Sequence, residues 1–162
     1  FHFSVSMTTR PARPDEVDGV DYRFVDRAAF EAAVEAGEMV EWAEYSGFLY
    51  GTPRAAIEEP LARGDDVLLD IEILGARQVK EAFPEAMMIY VLPPSMEVLE
   101  ERLRGRGDTP EEAVARRLAV AEWQIEQARA LFDHFVVNED LVTAVEEVAG
   151  ILAAPRPPQV SP

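Results

Sequence analysis

The sequence predicts an α/β protein in which parallel βαβ units follow a separate stretch of antiparallel strands. After Val67, short apolar runs alternate with segments of helical periodicity, the pattern of parallel strands joined by helices. Before Val67, a strand at 39–45 is followed by Ser46-Gly47, a two-residue turn signal, and by an apolar run at 48–50, which indicates a hairpin. We therefore expect the hairpin to belong to a β-rich subdomain inserted into the fold.

Local signals define the other elements of the first half. Asp26 fits the N-cap of a helix that ends at Gly37. Thr52-Pro53 is expected to open a second helix, which ends at Gly64, because proline is favoured at the first helical position. Two further short strands are predicted at 3–7 and 22–24.

In the second half, three apolar runs are typical of buried parallel strands, at 67–71, 87–92 and 135–137. Ser95 and the capping box at 109–112 mark helix starts. The predicted helices cover 76–83, 95–104, 109–131 and 141–152. The Pro-rich tail, 155–162, is predicted to be disordered.

Composition limits the classes of function. The 162 residues correspond to one domain, and the net charge of −16 disfavours a polyanionic partner such as nucleic acid. No apolar run is long enough to cross a membrane, and no signal sequence opens the chain. The absence of cysteine excludes disulfides and thiolate metal sites and fits a cytoplasmic protein. His2 and His134 are isolated, and no metal-ligand spacing is present.

Two clusters of arginine are candidates for phosphate binding. Arg10 and Arg13 lie three residues apart in a proline-stiffened loop, although their spacing alone favours two solvated side chains. Arg102, Arg106 and Arg117 surround a glycine-flanked joint that could close over a phosphate chain. A helix C-terminus with favourable cations accounts for Arg102 equally well, but accounts poorly for Arg106 and Arg117.

Carboxylates define two further candidates. Glu41 stands on the opposite face of its strand from Val40 and Trp42 and could hold a base that offers two donors, or it could be a solvated residue of an edge strand. Asp70 and Glu72 lie at the C-terminal end of a predicted strand, where ligands of open α/β sheets bind. A carboxylate there can hold Mg²⁺ through water or hold a basic group in place. Polar residues that simply meet solvent at a strand end are an equal alternative.

In this order and at these separations, the candidate stretches resemble the guanylate kinase family over 3–152. The stretches that support the resemblance are Ser4-Val5-Ser6-Met7-Thr8-Thr9-Arg10-Pro11-Ala12-Arg13, 16–22, 41–45, Tyr50-Gly51-Thr52, Asp70-Ile71-Glu72 and Gly105-Arg106-Gly107. The resemblance implies a P-loop nucleoside monophosphate kinase fold: a parallel sheet flanked by helices, an inserted GMP-binding subdomain and a helical lid. It also implies transfer of the terminal phosphoryl group of ATP to GMP, in purine nucleotide metabolism, with Mg²⁺ accompanying ATP.

The resemblance further implies a role for each matching position. The guanine would be bound by Ser6, Glu41 and Thr52, with Asp70 and Glu72 near the guanine and the metal. The GMP phosphate would be held by Arg10, Arg13, Tyr22 and Tyr50, with Glu16 orienting the arginine loop. The ATP phosphates would be covered by Arg102, Arg106 and Arg117, and Arg106 and Asn138 would border the adenine. Of these, five arginines are expected to be catalytic: Arg10, Arg13, Arg102, Arg106 and Arg117.

The chain departs from the family pattern in two places. The Gly-rich, Lys-containing phosphate-binding loop is absent, and Leu74 stands where the family usually has Gln before the Gly-Ala pair. We expect a chain that starts after this loop, which leaves open whether the chain as given is active. The alternative is a catalytically inactive module that binds GMP or a phosphopeptide, and a third possibility is a related kinase with another acceptor.

The implied organisation is a single domain, 1–154, followed by the tail. Its parts are a GMP-binding subdomain at 8–62, a core at 63–104 and 123–154, and a lid at 105–122. The expected partners are GMP and ATP, without nucleic acid or membrane, and the sequence does not indicate the oligomeric state.

Overall fold

The computed structural model describes residues 1–105 and 111–154. The predicted lid residue Arg106, the N-terminal part of the capping box and the tail at 155–162 lie outside these ranges. Two compact units divide the chain, the first at Phe1–Ala86 and the second beginning at Met87. Each is described by itself.

The first unit contains a mixed four-stranded sheet and a separate parallel pair of strands. Its elements are β1 (His2–Phe3), β2 (Met7–Thr8), β3 (Arg23–Phe24), α1 (Arg27–Glu35), β4 (Met39–Tyr45), β5 (Phe48–Pro53), α2 (Ala55–Ala62), β6 (Val67–Leu68) and α3 (Ile73–Ala82). The strand order is β3-β2-β5-β4 in the larger sheet, and β1 pairs in parallel with β6. β4 is therefore an outer strand of the larger sheet.

The predicted hairpin is confirmed as β4 and β5. Ser46 and Gly47 both have positive φ, 53° and 83°, which is the geometry of a type I′ turn. The antiparallel register places Glu41 opposite Thr52, with an irregularity between Met39 and Glu41. This register brings two polar side chains of the candidate site together across the hairpin.

Helix α1 is also confirmed, together with its cap. The Asp26 carboxylate accepts a 2.7 Å hydrogen bond from the backbone N–H of Ala29, which satisfies one of the unpaired donors of the first turn. The helix buries Phe30 against Met39 and Leu49, so that α1 packs on the hairpin. This core supports one face of the larger sheet.

Four predictions for the first unit are wrong in position or extent. Thr52-Pro53 belongs to β5 instead of opening a helix, because Thr52 pairs with Glu41, and α2 begins only at Ala55. The predicted strand at 3–7 is interrupted, because β1 pairs with β6 whereas β2 pairs with β3 and β5, so the chain passes between two sheets.

The predicted buried strand at 67–71 is reduced to Val67–Leu68, and Leu68 is 40% exposed. The ladder ends there because β6 pairs with the two residues of β1, after which the Ser4 N–H bonds to the Leu68 carbonyl. Helix α3 begins at Ile73, three residues earlier than predicted, and Glu72 occupies its N-cap position.

The second unit pairs two parallel strands and carries three helices. Its elements are β7 (Ile89–Leu92), α4 (Met96–Gly105), α5 (Glu111–Leu131), β8 (His134–Val137) and α6 (Leu141–Ala153). Val136 is fully buried, but Val91 and Val137 are exposed, so the prediction of buried strands holds only in part. The register pairs Val91 with Val136 and Leu92 with Val137, and successive residues of a strand face opposite ways, so the two exposed valines lie on opposite faces of the pair. In the described ranges, no helix is both long and apolar enough to span a bilayer.

The alternation of strands and helices in both units confirms the predicted α/β class with parallel pairings. The finer division into subdomain, core and lid stays a prediction.

Candidate functional site

The first candidate cluster is organised around the carboxylate of Glu16. Both terminal nitrogens of the Arg10 guanidinium donate to it, each at 2.8 Å, which makes a bidentate pair. The backbone N–H of Arg13 donates to the same carboxylate at 2.7 Å. Glu16 therefore connects the two arginines of the predicted phosphate-binding loop.

These arginines differ in how freely their side chains can move. The side chains of Arg10 and Glu16 are only 13% and 14% exposed, whereas that of Arg13 is 71% exposed and its guanidinium is 3.6 Å from Glu16. The pKa of Glu16 is lowered to about 2, first by hydrogen bonding from Arg10 and then by the Arg13 amide. Glu16 is accordingly ionised throughout the neutral range.

Aromatic rings surround Arg10. Its guanidinium carbon lies 5.5 Å from the Tyr22 ring centre and 5.7 Å from that of Phe24, distances typical of cation–π contacts. The Tyr50 ring packs edge-on against Tyr22 with centroids 6.1 Å apart. Burial raises the pKa of Tyr22, and the negative charge of Asp70 raises it further, so the phenol remains a hydrogen-bond donor. Arg10, Tyr22 and Tyr50 thus form one cluster, to which Arg13 is connected through Glu16, and their binding of a phosphate stays a prediction.

The second cluster is a chain of three polar side chains on β4, β5 and the segment before β2. The Thr52 hydroxyl donates to Glu41 Oε1 at 2.6 Å, and the Ser6 hydroxyl lies 3.2 Å from the Thr52 hydroxyl. Glu41 is 5% exposed although β4 is an outer strand, so the alternative of a solvated glutamate is wrong.

The environment of Glu41 changes its acidity. Burial raises the pKa of Glu41, and the hydroxyl and backbone N–H of Thr52 oppose that rise by stabilising the carboxylate. A buried carboxylate at the end of a short polar chain can accept paired N–H donors from a ligand.

Two residues of α3 that the sequence analysis did not select lie next to this cluster. A side chain on Gly75 would place its Cβ 2.9 Å from Cδ of Glu41 and closer still to Oε2. Gln78, one turn further along α3, hydrogen-bonds both backbone groups of Trp42. Gly75 itself was the sequence signal for this contact. Glycine destabilises the interior of a helix, so its presence there indicates that another group packs closely against the backbone.

Asp70 and Glu72 lie between β6 and α3, and both are exposed. They follow the end of β6 by two and four residues, so both lie beyond the shortened strand, whereas Asp70 was predicted inside it. Asp70 is the second-largest influence on the pKa of Tyr22 and is therefore close to the aromatic cluster. Among the described residues, no group of three or more potential ligands could hold a metal ion.

The second unit holds the other predicted residues. A terminal nitrogen of the Arg102 guanidinium donates to the carbonyl of Glu139 at 3.2 Å, and the backbone N–H of the adjacent Asn138 bonds to the Leu92 carbonyl at 2.8 Å. Arg102 and Asn138 are thereby brought together beside the C-terminal ends of β7 and β8. Arg117 lies in α5, half-buried, and Arg106 falls outside the described residues.

Comparison with known proteins gives a consistent result. The family model described as Guanylate kinase matches residues 1–155. A protein of Thermus thermophilus named guanylate kinase is 56% identical over 154 residues, covering 95% of this chain and 70% of the relative. A guanylate kinase of Synechocystis is 51% identical, covering 92% of this chain and 78% of the relative. The crystal structure of guanylate kinase from Anaplasma phagocytophilum superposes with a TM-score of 0.79 at 37% identity, covering 93% of this chain and 73% of that one.

Proposed function

The chain belongs to the guanylate kinase family, and we propose how its own side chains bind and orient the substrates of that family's reaction. The enzyme transfers the terminal phosphoryl group of ATP to GMP. A phosphate oxygen of GMP forms a bond to the γ-phosphorus, the bond from that phosphorus to the bridging oxygen breaks, and ADP and GDP result. Such a transfer depends on positioning and on offsetting negative charge more than on a covalent protein group.

Guanine recognition is assigned to Glu41, Thr52 and Ser6. Guanine presents a ring N–H and an exocyclic amine on one edge, and an ionised carboxylate accepts from both. Thr52 orients the carboxylate of Glu41, and Ser6 orients Thr52. The observation that carries the proposal is the buried series of hydrogen bonds from Ser6 through Thr52 to Glu41. The Glu41 carboxylate has lost its water on burial, and the N–H groups of guanine can replace the hydrogen bonds that this water made.

Binding of the GMP phosphate is assigned to Arg10, Arg13, Tyr22 and Tyr50. Arg10 directs three hydrogen bonds to Glu16 and to the Pro11 carbonyl, and a guanidinium has five N–H donors. Glu16 holds Arg10 in place, while the exposed guanidinium of Arg13 is able to turn toward the phosphate. The two positive charges lower the repulsion between the two nucleotides as the reacting oxygen approaches.

The ATP side is assigned to Arg102, Arg106, Arg117 and Asn138, with closure of a lid to exclude water. Mg²⁺ bound with ATP supplies positive charge that offsets the charge of the transferred group. Asp70 and Glu72 have the oxygen ligands that Mg²⁺ prefers and would hold it through water, consistent with the small number of protein ligands that this ion takes beside phosphates.

We propose further that the protein acts in the cytoplasm on free GMP and ATP. The net charge of −16 supports small-molecule partners over nucleic acid or an anionic membrane surface, and the absence of cysteine fits a reducing compartment.

The test compares GMP with AMP as acceptors for the full-length protein. Wild type should prefer GMP, and Glu41→Gln should lower kcat/KM for GMP by roughly 10- to 100-fold while changing AMP much less, because hydrogen bonds to a charged group contribute about 1.5–3 kcal/mol. Glu44→Gln is the matched control, an exposed glutamate on the same strand. Equal losses for both acceptors would remove Glu41 from guanine recognition.

A further inference from the structure

Strand β4 is an outer strand, so one of its edges has no neighbouring strand in the sheet. On that edge, the Gln78 side chain of helix α3 hydrogen-bonds the backbone N–H and carbonyl of Trp42. The Gln78 amide oxygen accepts from the Trp42 N–H at 3.2 Å, and its amide nitrogen donates to the Trp42 carbonyl at 2.8 Å. The same nitrogen lies 3.3 Å from the Leu74 carbonyl of α3. One amide thus pairs with both backbone groups of one residue, as a neighbouring strand would.

Trp42 is adjacent to Glu41, so this pairing lies next to the guanine-binding carboxylate. On the same helix, Gly75 leaves the space that the Glu41 carboxylate occupies. Helix α3 therefore contacts β4 at the backbone through Gln78 and at the carboxylate through Gly75. Thr52 of β5 holds the other carboxylate oxygen. The position of Glu41 is set from two sides, by the hairpin and by α3.

We propose that Gln78 is a positioning residue for guanine specificity: its hydrogen bonds to Trp42 hold β4 against α3, so that the Glu41 carboxylate meets both N–H donors of guanine. The inference rests on the proposed function, because Gln78 acts only through Glu41. The Gln78 amide is engaged by the backbone of Trp42 and Leu74, so we expect it to act through the position of β4.

The physical reason is the geometry of a paired hydrogen bond. An outer strand without a partner for Trp42 would exchange these bonds for water and gain freedom to shift relative to α3. A two-donor contact is lost when the acceptor moves by about 1 Å, whereas a single hydrogen bond tolerates more. Loss of Gln78 is therefore expected to affect a ligand with two donors more than a ligand with one.

IMP provides the comparison, because its base keeps the ring N–H of guanine and lacks the amine. In the full-length protein, Gln78→Leu should lower kcat/KM for GMP roughly tenfold, mostly through KM, and lower that for IMP much less. Glu81→Leu is the control, since it introduces the same side chain at an exposed position of α3. Gln78→Glu keeps the size of the side chain and sets an oxygen against the Trp42 carbonyl, so it should also reduce the preference for GMP.

A second comparison separates this inference from the proposed function. In a Glu41→Gln background, Gln78→Leu should produce no additional loss of the GMP-over-IMP preference, because the two residues act on one contact. If the ratio of kcat/KM for GMP to that for IMP is unchanged in the folded Gln78 variants, the proposed role of Gln78 is wrong. Should Glu41→Gln itself retain the wild-type preference, the assignment of guanine recognition to Glu41 fails first. Thermal unfolding of each variant identifies those that are folded. If Gln78→Leu does not fold, Gln78→Glu replaces it in both comparisons.

Discussion

The hydroxyl of Thr52 donates a 2.6 Å hydrogen bond to the carboxylate of Glu41 across the β4–β5 hairpin. This bond and the Thr52 backbone N–H lower the pKa of Glu41, while burial, the larger effect, raises it. The net result is a carboxylate that gains a proton at higher pH than an exposed glutamate does. If Glu41 binds guanine as proposed, we expect the balance between these two residues to set the lower pH limit of GMP binding.

GMP binding should weaken on the acidic side because Glu41 becomes protonated. As the pH falls through the raised pKa of Glu41, one acceptor for guanine becomes a donor and KM for GMP rises. The effect of Glu41 on stability has the opposite pH dependence to its effect on binding. Because the pKa of Glu41 is raised in the folded state, folding favours its neutral form. Its contribution to the free energy of unfolding is therefore present at low pH and is lost as the pH rises through the folded pKa.

The measurement is kcat/KM for GMP between about pH 4.5 and pH 8 in wild type and in Glu41→Gln. The wild-type profile should carry an acidic limb above the ordinary pKa of 4.5, and the Glu41→Gln profile should lack that limb. An identical limb in both proteins would assign it to another group.

Glu16→Gln should raise KM for GMP about tenfold, because the bidentate pair with Arg10 loses its charge and one acceptor. The pKa of Glu16 is lowered to about 2 from 4.5, so its contribution to stability is present above 4.5 and is lost as the pH falls from there through about 2. The difference in the urea midpoint of unfolding between wild type and Glu16→Gln should therefore become smaller as the pH is lowered.

The control for this variant is Glu31→Gln, which removes a carboxylate paired with Arg27 on the exposed face of α1. It should leave KM for GMP unchanged. A rise in KM as large as that of Glu16→Gln would attribute the effect to net charge.

Arg13→Ala should lower kcat by up to about 10³-fold, since one arginine that offsets transition-state charge contributes on that scale. Its side chain is 71% exposed and its only described ion pair is 3.6 Å long, so the fold should lose little stability. Steady-state rates and thermal melts of Arg13→Ala and Arg63→Ala, an exposed arginine paired with Asp65, form the comparison. An Arg13→Ala enzyme as fast as wild type would remove Arg13 from the mechanism.

Gly75→Ala should raise KM for GMP by about tenfold or more, because the added methyl group overlaps the carboxylate of Glu41 and displaces it. The matched control is Gly150→Ala in α6, where nothing lies within 4 Å of the added atom. The control should gain about 0.5–1 kcal/mol of stability and keep wild-type kinetics. Wild-type kinetics in Gly75→Ala would show that α3 yields to the methyl group.

The sequence by itself determined the elements whose signals are local. Ser46-Gly47 specified the hairpin because both turn residues adopt positive φ, and Asp26 specified the start of α1 because its carboxylate bonds to an amide three residues away. The order of the arginine, tyrosine and carboxylate positions also indicated the family. The turn and the cap need only neighbouring residues, and the order of positions needs only the sequence, so all three can be recognised without knowledge of the packing.

Tertiary structure alone decided the rest. Trp42 and Gln78 meet across 36 positions of sequence, and no local pattern specifies that an amide on α3 should pair with an outer strand. The burial of Glu41 likewise depends on α3 and β5 covering it, and the break between β1 and β2 depends on which strands they pair with. The physical reason is that burial and backbone pairing belong to the arrangement of the elements, whereas caps and turns are properties of the local chain.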